Sequence, residues 1–412
     1  MKQLIKSFSI YTSVSILTGS ISFLLLPVLT SYLSPEDYGL LSIFNASIRF
    51  VSAFIGLGMS HVLLVDLIKS RNVFVYRLKG FGIATISICL LFTIAGFLYY
   101  LFSSSFFGIP TTFALFIPLI SLMVVYFEFF TSIMIFLKQA KKFAIYSLSK
   151  FGIETILTIL FVVIFGMNWV GRIMSLAIAL ILIIILLLFY LFTEFELKQK
   201  VYNIKKHAIE LLKEGWALLL MSVSFMVINL SDRFFIENFQ GISETGKYSV
   251  AATIAGIMFM VIGALMKVIR PMIYEMLNDK LNSKLNKIGL FYHMILLIFS
   301  LILIFVTPLI FKYFIDSSFK EAQEFSFLLV VGLFFWGGYS YFLSFILYYK
   351  KHRMNSVLAL AAIFLNLVLN YLFIKEVGTK GAAYATLITY VCMFVFSILI
   401  SFRINANIKQ IA

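Results

Sequence analysis

EFELKQKVYNIKKHAIELLKE, residues Glu194–Glu214, divides a 412-residue chain close to its midpoint. It is the longest strongly charged stretch in a sequence that is otherwise almost unbroken apolar run. Read as a helix, it places Ile204, Ala208 and Leu211 on one face, at spacings of four and three, with Lys205, Lys206, Ile209 and Lys213 mostly elsewhere. Two readings of the stretch stand side by side. One is a basic amphipathic helix lying on a membrane surface. The other is a solvated connection between two halves. Both make it a boundary, with residues 1–193 before it, 194–214 as a linker on the inner side, and 215–412 after it.

Working outward, six long apolar segments precede the stretch and six follow it: 8–33, 38–64, 80–102, 112–137, 142–166 and 170–193, then 215–240, 246–270, 288–312, 323–349, 354–374 and 379–402. Each is long enough to cross a bilayer, which takes about 20 apolar residues. Hydrophobic residues make up 62% of the chain and charged residues 12%, against about 25% charge in a soluble domain. A soluble interior cannot hide that much apolar sequence. The expected fold class is an all-α polytopic membrane protein of twelve transmembrane helices, because helices satisfy their own backbone groups in lipid. Met1–Ser34 opens like a signal peptide, with Lys2 and Lys6 ahead of an apolar run. That run is too long and lacks a small-residue cleavage site, so it reads as a retained first helix.

The net charge of +15 does not point to nucleic acid, because most Lys and Arg stand between apolar segments and not on one soluble face. Their distribution alternates. One set of loops, including both ends of the chain, holds 24 basic residues and the other set holds six. By the positive-inside rule both termini are cytoplasmic. Arg172 and Lys247 fall in the poor, outer set, and Arg77 in the rich, inner one. Cys89 and Cys392 lie inside apolar runs, and no CxxC, HExxH or Cys/His cluster exists. No metal, disulfide framework or cofactor is therefore expected.

A shift of 207 residues carries Gly39, Ser42, Ile55, Gly56 and Met59 onto Gly246, Ser249, Ile262, Gly263 and Met266. The matches keep their order. Each half has an even number of helices, so the repeats run parallel. They are expected as two pseudo-symmetric six-helix bundles about an axis along the membrane normal, with a central cavity and a site between them. Ser34-Pro35-Glu36-Asp37 reads as a helix start, with proline in the first turn and acids at the positive dipole end. Pro27 lies inside the first span and should bend it, which makes it a candidate hinge.

Three basic residues remain inside spans: Arg49, Lys150 and Arg233. A charge at the bilayer centre costs about 2.5–3.5 kcal/mol on insertion scales, so each needs a partner, a cavity or a task. Arg49 stands about 16 Å into the second span at 1.5 Å per residue. Ser42, Asn45, Arg49, Ser52 and Gly56 form one polar stripe. The stripe faces either a cavity or a packing seam in which Arg49 meets an acid. Glu128 in the fourth span is also at mid-depth, with Ser121 and Ser132 on its face. In the fifth, Ser147, Lys150, Glu154 and Thr158 share a face, where Lys150 and Glu154, four apart, either neutralise each other or act on a substrate. In the seventh, Ser222, Asn229, Asp232 and Arg233 share a side; the adjacent pair Asp232-Arg233 is expected to find other partners. Lys267 and Arg270 read as anchors at the inner surface, and Asn366 and Asn370 as interhelical hydrogen-bonding groups.

LPVLTSYLSPEDYGLLSIF (Leu26–Phe44), NLSDRFFIENFQGISETGKYSVAATIAG (Asn229–Gly256) and NLVLNYLFIKEVGTKGAAYATLITY (Asn366–Tyr390) resemble the corresponding helix pairs of Wzx-type polysaccharide flippases. That family belongs to the superfamily that includes MATE antiporters and lipid II flippases. The resemblance implies a cationic central cavity and alternating access. It also implies export of undecaprenyl-diphosphate-linked repeat units, such as those of O-antigen, across the bacterial inner membrane. The candidate ligands for the substrate are then Arg49, Lys150 and Arg233 with Asn45 and Ser52. Glu128, Glu154 and Asp232 are candidates for charge balance or for an H⁺ or Na⁺ coupling ion. The expected partners are the lipid-linked oligosaccharide and membrane lipids, with no nucleic acid, and a monomer as the working unit. A MATE-like multidrug or cation antiporter is the rival carrier, and it would want net negative charge in its cavity. A glycosyl-polymerase is the rival enzyme, but the outer loops here are too short for the large reactive loop it would need; the chain reads as a carrier and not an enzyme.

Reporter fusions test the layout. Fusions at either terminus and within Glu194–Glu214 should report cytoplasm, and one placed after Lys247 should report the outer side. An external signal from Glu194–Glu214 would overturn the topology.

Overall fold

A computed structural model describes residues 2–195, 203–279 and 281–411. Residues 196–202 of the charged midpoint stretch lie outside the described residues. The helices are α1 (Lys2–Leu24), α2 (Leu26–Tyr32), α3 (Pro35–Gly56), α4 (Met59–Lys69), α5 (Arg71–Phe102), α6 (Thr111–Ala114), α7 (Ile117–Phe136), α8 (Ala140–Thr158) and α9 (Asn168–Glu194). They continue with α10 (Ile204–Gln240), α11 (Ile242–Ala255), α12 (Ile257–Asn278), α13 (Asn282–Tyr313), α14 (Ala322–Tyr348), α15 (His352–Val377) and α16 (Thr379–Ile411). A two-residue hairpin, Ser105–Phe106 with Ile109–Pro110, turns the chain between α5 and α6. Among the described residues, eleven helical stretches are long and apolar enough to cross a membrane. The twelfth expected span, 215–240, is helical within α10.

Four expected spans are interrupted. The first stops at Leu25 and resumes with Pro27 in the opening turn of α2, because proline has no N–H and its ring crowds the carbonyl four residues back. The second, expected unbroken over 38–64, breaks at Leu57 and Gly58, where φ is 44° and 69°. The fourth, expected over 112–137, breaks at Leu115 and Phe116, ahead of Pro118 in the opening turn of α7. The eighth, expected over 246–270, starts at Ile242, breaks at Gly256 and runs on to Asn278. The helix start at Ser34 is as expected. Asp37 N–H donates to Ser34 Oγ at 3.1 Å, and the Asp37 carboxylate accepts from the Ser34 hydroxyl at 3.0 Å, a reciprocal cap.

The chain divides into two compact units. One comprises residues up to Leu33 together with Leu40–Met226, and the other comprises Ser34–Gly39 and everything from Val227 onward. In the first unit α7 packs against α4, α5, α8 and α9, and α1 packs on α8. In the second, α14 is the central helix, packed on α11, α12, α13, α15 and α16.

The midpoint stretch is not a separate element. Its described second half forms the first turns of α10, which continues through Gly215 without a break. Nor is it free on a surface, because Ala208 and Leu211 are buried in the first unit's core with Phe74 and Phe81. Lys205, Lys206, Ile209 and Lys213 are exposed on the other side. Arg77, counted above as an inner-loop cation, is buried beneath α10. It donates to Asp66 at 2.6 Å and to Glu214 at 2.7 Å, so it ties the linker to α4 and α5. α10 also crosses the α3–α4 break closely. A side chain at Gly215 would strike the Leu57 carbonyl, and one at Gly58 would come within 2.6 Å of Leu218.

A second close crossing bears on the internal repeat. Gly39 lies on the Ile242 carbonyl and Gly246 lies on the Pro35 carbonyl, with no room for a Cβ at either. The 207-residue shift exchanges Pro35 with Ile242 and Gly39 with Gly246. The contact is therefore reciprocal under that shift. It also explains why Ser34–Gly39 belongs with α11.

Gly246→Val should lower the stability of the purified protein by about 1–3 kcal/mol, the usual cost of forcing a side chain into a filled space. Gly263→Ala, at a position with nothing within 4 Å of the added carbon, should be near neutral. Equal melting temperatures for the two variants would show that the crossing is not tight.

Candidate functional site

Arg49 on α3 and Glu128 on α7 are brought together, with Nη1 2.7 Å from Oε1. A clamp of two serines sets their heights. Ser52 Oγ donates to the Ser121 carbonyl at 3.2 Å, and Ser121 Oγ donates to the Ile48 carbonyl at 3.0 Å. Both serines are buried, so the polar stripe divides. Ser42 and Ser52 are packed, while Asn45 and Arg49 are exposed. One edge of the helix therefore packs against α7, and the adjacent edge opens to a cavity within the first unit.

The cavity has a volume of about 180 Å³, and Arg49, Ser52, Gly56, Ser60, His61 and Glu128 are in its wall. The Arg49 and Glu128 side chains are 56% and 57% exposed, so the pair is open to solvent and its partners can exchange. Neither Ser60 nor His61 is legible in the sequence as a site residue. They reach the wall because the chain turns at Gly58, and a single glycine in an apolar run does not announce that turn.

Lys150 lies elsewhere. It and Glu154 are buried, at 7% and 5% exposure, and the ammonium donates to the Glu154 carboxylate. The two are an ion pair, and a third group joins them. Arg172 of α9, placed above among the outer-loop cations, reaches in to Glu154 at 2.6 Å and to Thr158 Oγ1 at 2.8 Å. Glu154 thus has two cations. The Lys150 ammonium also stands 4.2 Å from the Phe151 ring centre and 5.8 Å from that of Phe127. A π-helical turn, Ile159–Ile164, follows at once; wide turns of this kind often mark functional sites. The one sequence signal for Arg172 was its position, a cation on the side poor in them.

In the second unit Asp232 and Arg233 have other partners and also hold each other. The long arginine folds back, and Arg233 Nη1 donates to Asp232 Oδ1 and to the Asn229 carbonyl, both at 2.9 Å. Tyr248 OH donates to Asp232 Oδ2 at 2.6 Å, and Tyr390 OH donates to Asn229 Oδ1 at 2.6 Å. The Ser222 side chain, assigned to this stripe, lies outside the described residues. Asn366 bridges helices as expected, accepting from Ser231 at 3.5 Å and donating to Thr389 at 3.4 Å, while Asn370 donates to Asn366 at 3.0 Å. Of the three cations within spans, Arg49 is the one in the wall of the cavity. Lys150 and Arg233 are held by buried acids.

A family model described as "Polysaccharide biosynthesis protein" matches residues 4–277. No curated protein matches the chain. Among solved structures, an inward-facing multidrug resistance MATE family transporter of the MOP superfamily aligns with TM-score 0.73 and 14% identity, covering 96% of each chain. The lipid II flippase MurJ in an inward closed conformation aligns with TM-score 0.73 and 19% identity, covering 96% of this chain and 87% of its own. A MOP superfamily transporter from Pyrococcus furiosus, whose binding pocket is described as having reverse polarity, aligns with TM-score 0.59 and 14% identity, over 98% of this chain and 95% of that one. At these identities the likeness is one of fold: this is a multi-span membrane protein of the MATE-like architecture.

Glu154→Gln leaves Lys150 and Arg172 buried without their shared anion. Removing one member of a buried ion pair costs about 3–5 kcal/mol, so the variant should melt well below wild type. An unchanged melting temperature would mean that the cluster is hydrated and not sealed.

Proposed function

We propose, on the premise that this chain belongs to the polysaccharide biosynthesis protein family, that it carries undecaprenyl-diphosphate-linked oligosaccharide repeat units across the bacterial inner membrane. The route is alternating access, the termini are cytoplasmic, and the product serves O-antigen or another surface polysaccharide. A diphosphate bearing sugars does not cross hydrocarbon unaided; it needs a polar cavity with a fixed cation. The observation that carries the reading is Arg49, a guanidinium in a cavity wall, paired with an acid that solvent can reach. Guanidinium stays charged and binds phosphate through two parallel N–H bonds. Glu128 keeps the empty site neutral and gives Arg49 up to the phosphates. Asn45, exposed one turn away on the same helix, and the Ser60 hydroxyl in the wall supply hydrogen bonds to the headgroup. Asp232 with Arg233 is kept as the candidate site for a coupling ion, H⁺ or Na⁺, and the bend at Pro27 as the candidate hinge.

The rival carrier, a multidrug or cation antiporter, draws on the likeness to a MATE transporter. Charge argues against it. The charged groups in the cavity wall are Arg49 and Glu128, a neutral pair, and not the net negative charge that a cationic cargo would want.

Binding of a synthetic farnesyl-diphospho-sugar to purified full-length protein tests the reading. Arg49→Ala should weaken binding by about 10- to 100-fold, the value of a lost hydrogen bond to a charged group. Arg49→Lys should lose less, since ammonium binds phosphate as a point charge. Equal affinity in two equally folded proteins would remove Arg49 from the site.

A further inference from the structure

Glu128 has one cation and Glu154 has two. Arg49 pairs with Glu128 at 2.7 Å, whereas Glu154 is held both by Lys150 and by Arg172, the latter at 2.6 Å from another helix. When Arg49 turns to a phosphate, Glu128 loses its partner. The headgroup that takes Arg49 also fills the cavity and displaces its water, and a carboxylate so desolvated finds another cation or takes up a proton. The surplus cation lies one helix away. The Lys150 ammonium is on a flexible stem 5.8 Å from the ring of Phe127, the residue before Glu128.

We propose, resting on the reading of Arg49 as the phosphate ligand, that Lys150 is a positioning residue that passes from Glu154 to Glu128 when the diphosphate binds. The exchange is possible because Arg172 remains on Glu154. In the empty site Arg49 holds Glu128, and Lys150 and Arg172 hold Glu154. In the loaded site Arg49 holds the diphosphate, Lys150 holds Glu128 and Arg172 holds Glu154. Every acid has a cation in both states, so loading draws no proton into the site.

The neighbouring groups leave Lys150 as the replacement. From α4, His61 stands in the same cavity wall. From α5, the groups that meet α7 are uncharged: Thr85 on Tyr126, and Cys89 on the Pro118 carbonyl. From α8 come Lys150 and Glu154. From α9 comes Arg172, fixed to both Glu154 and Thr158; the Glu194 end of that helix is paired with Lys142. A cation fixed to two partners is a poor candidate to move, whereas a lysine with one carboxylate and two aromatic rings is a good one.

The test is calorimetric binding of the same farnesyl-diphospho-sugar, whose phosphates do not titrate near neutrality, in buffers of different ionisation enthalpy. Wild type should bind without net proton uptake, and its affinity should be flat from about pH 6 to about pH 8. Lys150→Met leaves Glu154 with Arg172 and so should fold. Its binding should take up one proton and weaken about tenfold per unit rise in pH. Arg172→Gln, which pins Lys150 on Glu154, should behave the same way. Adding Glu128→Gln to either variant should abolish the uptake and flatten the profile, because the group needing a proton is gone. Proton uptake by wild type, pH-independent binding by Lys150→Met, or uptake that persists after Glu128→Gln would each overturn the exchange. Failure of the premise looks different: Arg49→Ala would then bind as wild type does, whatever the pH profiles show.

Discussion

A charged side chain inside hydrocarbon has to find its counter-charge on the protein, and that requirement organises both units. Born costs fall only when opposite charges and hydrogen-bond partners converge. The helices accordingly pack so that acids and bases from different segments meet: Arg49 with Glu128, Arg172 with Glu154, and Arg77 with Asp66 and Glu214. The second unit solves the same problem locally. Arg233 folds onto Asp232, and two tyrosines complete the shell. The site differs from the buried clusters chiefly in exposure. The Arg49–Glu128 pair is open to a cavity, and the Lys150–Glu154–Arg172 group is not.

Glycine does for the backbone what ion pairing does for the charges. Apolar helices gain little by associating in lipid unless they approach closely enough for dense contact. Gly39 and Gly246 supply one such approach, and Gly58 and Gly215 another. The first is reciprocal under the internal repeat, so a weak sequence periodicity becomes a physical contact. The second lets α10 cross at the α3–α4 break, and that break is what brings Ser60 and His61 to the cavity. The serine clamp between α3 and α7 then fixes Arg49 and Glu128 at matching depth.

Much of this arrangement is legible in the order of residues along the chain. Composition and run length give the class, the alternation of Lys and Arg supports the number of segments, and depth singles out Arg49 and Glu128. Charge in this fold is not local. Arg77 and Arg172 count as loop cations by position, yet both have stems long enough to reach buried acids. The rule that adjacent residues do not face each other fails for Asp232 and Arg233 for the same reason. It describes Cβ directions, and the guanidinium stands several bonds beyond its Cβ.

The sequence by itself determined that this chain is helical and crosses a membrane many times. Those facts follow from hydrophobicity and period, which are sums over many residues and survive local exceptions. Only the tertiary structure decided where the linker lies, which acid each cation holds, and which cation faces a cavity. Those depend on which helices are neighbours. Neighbours are set by a few close contacts, such as a glycine against a carbonyl or a serine against a turn, that leave no periodic trace in the chain.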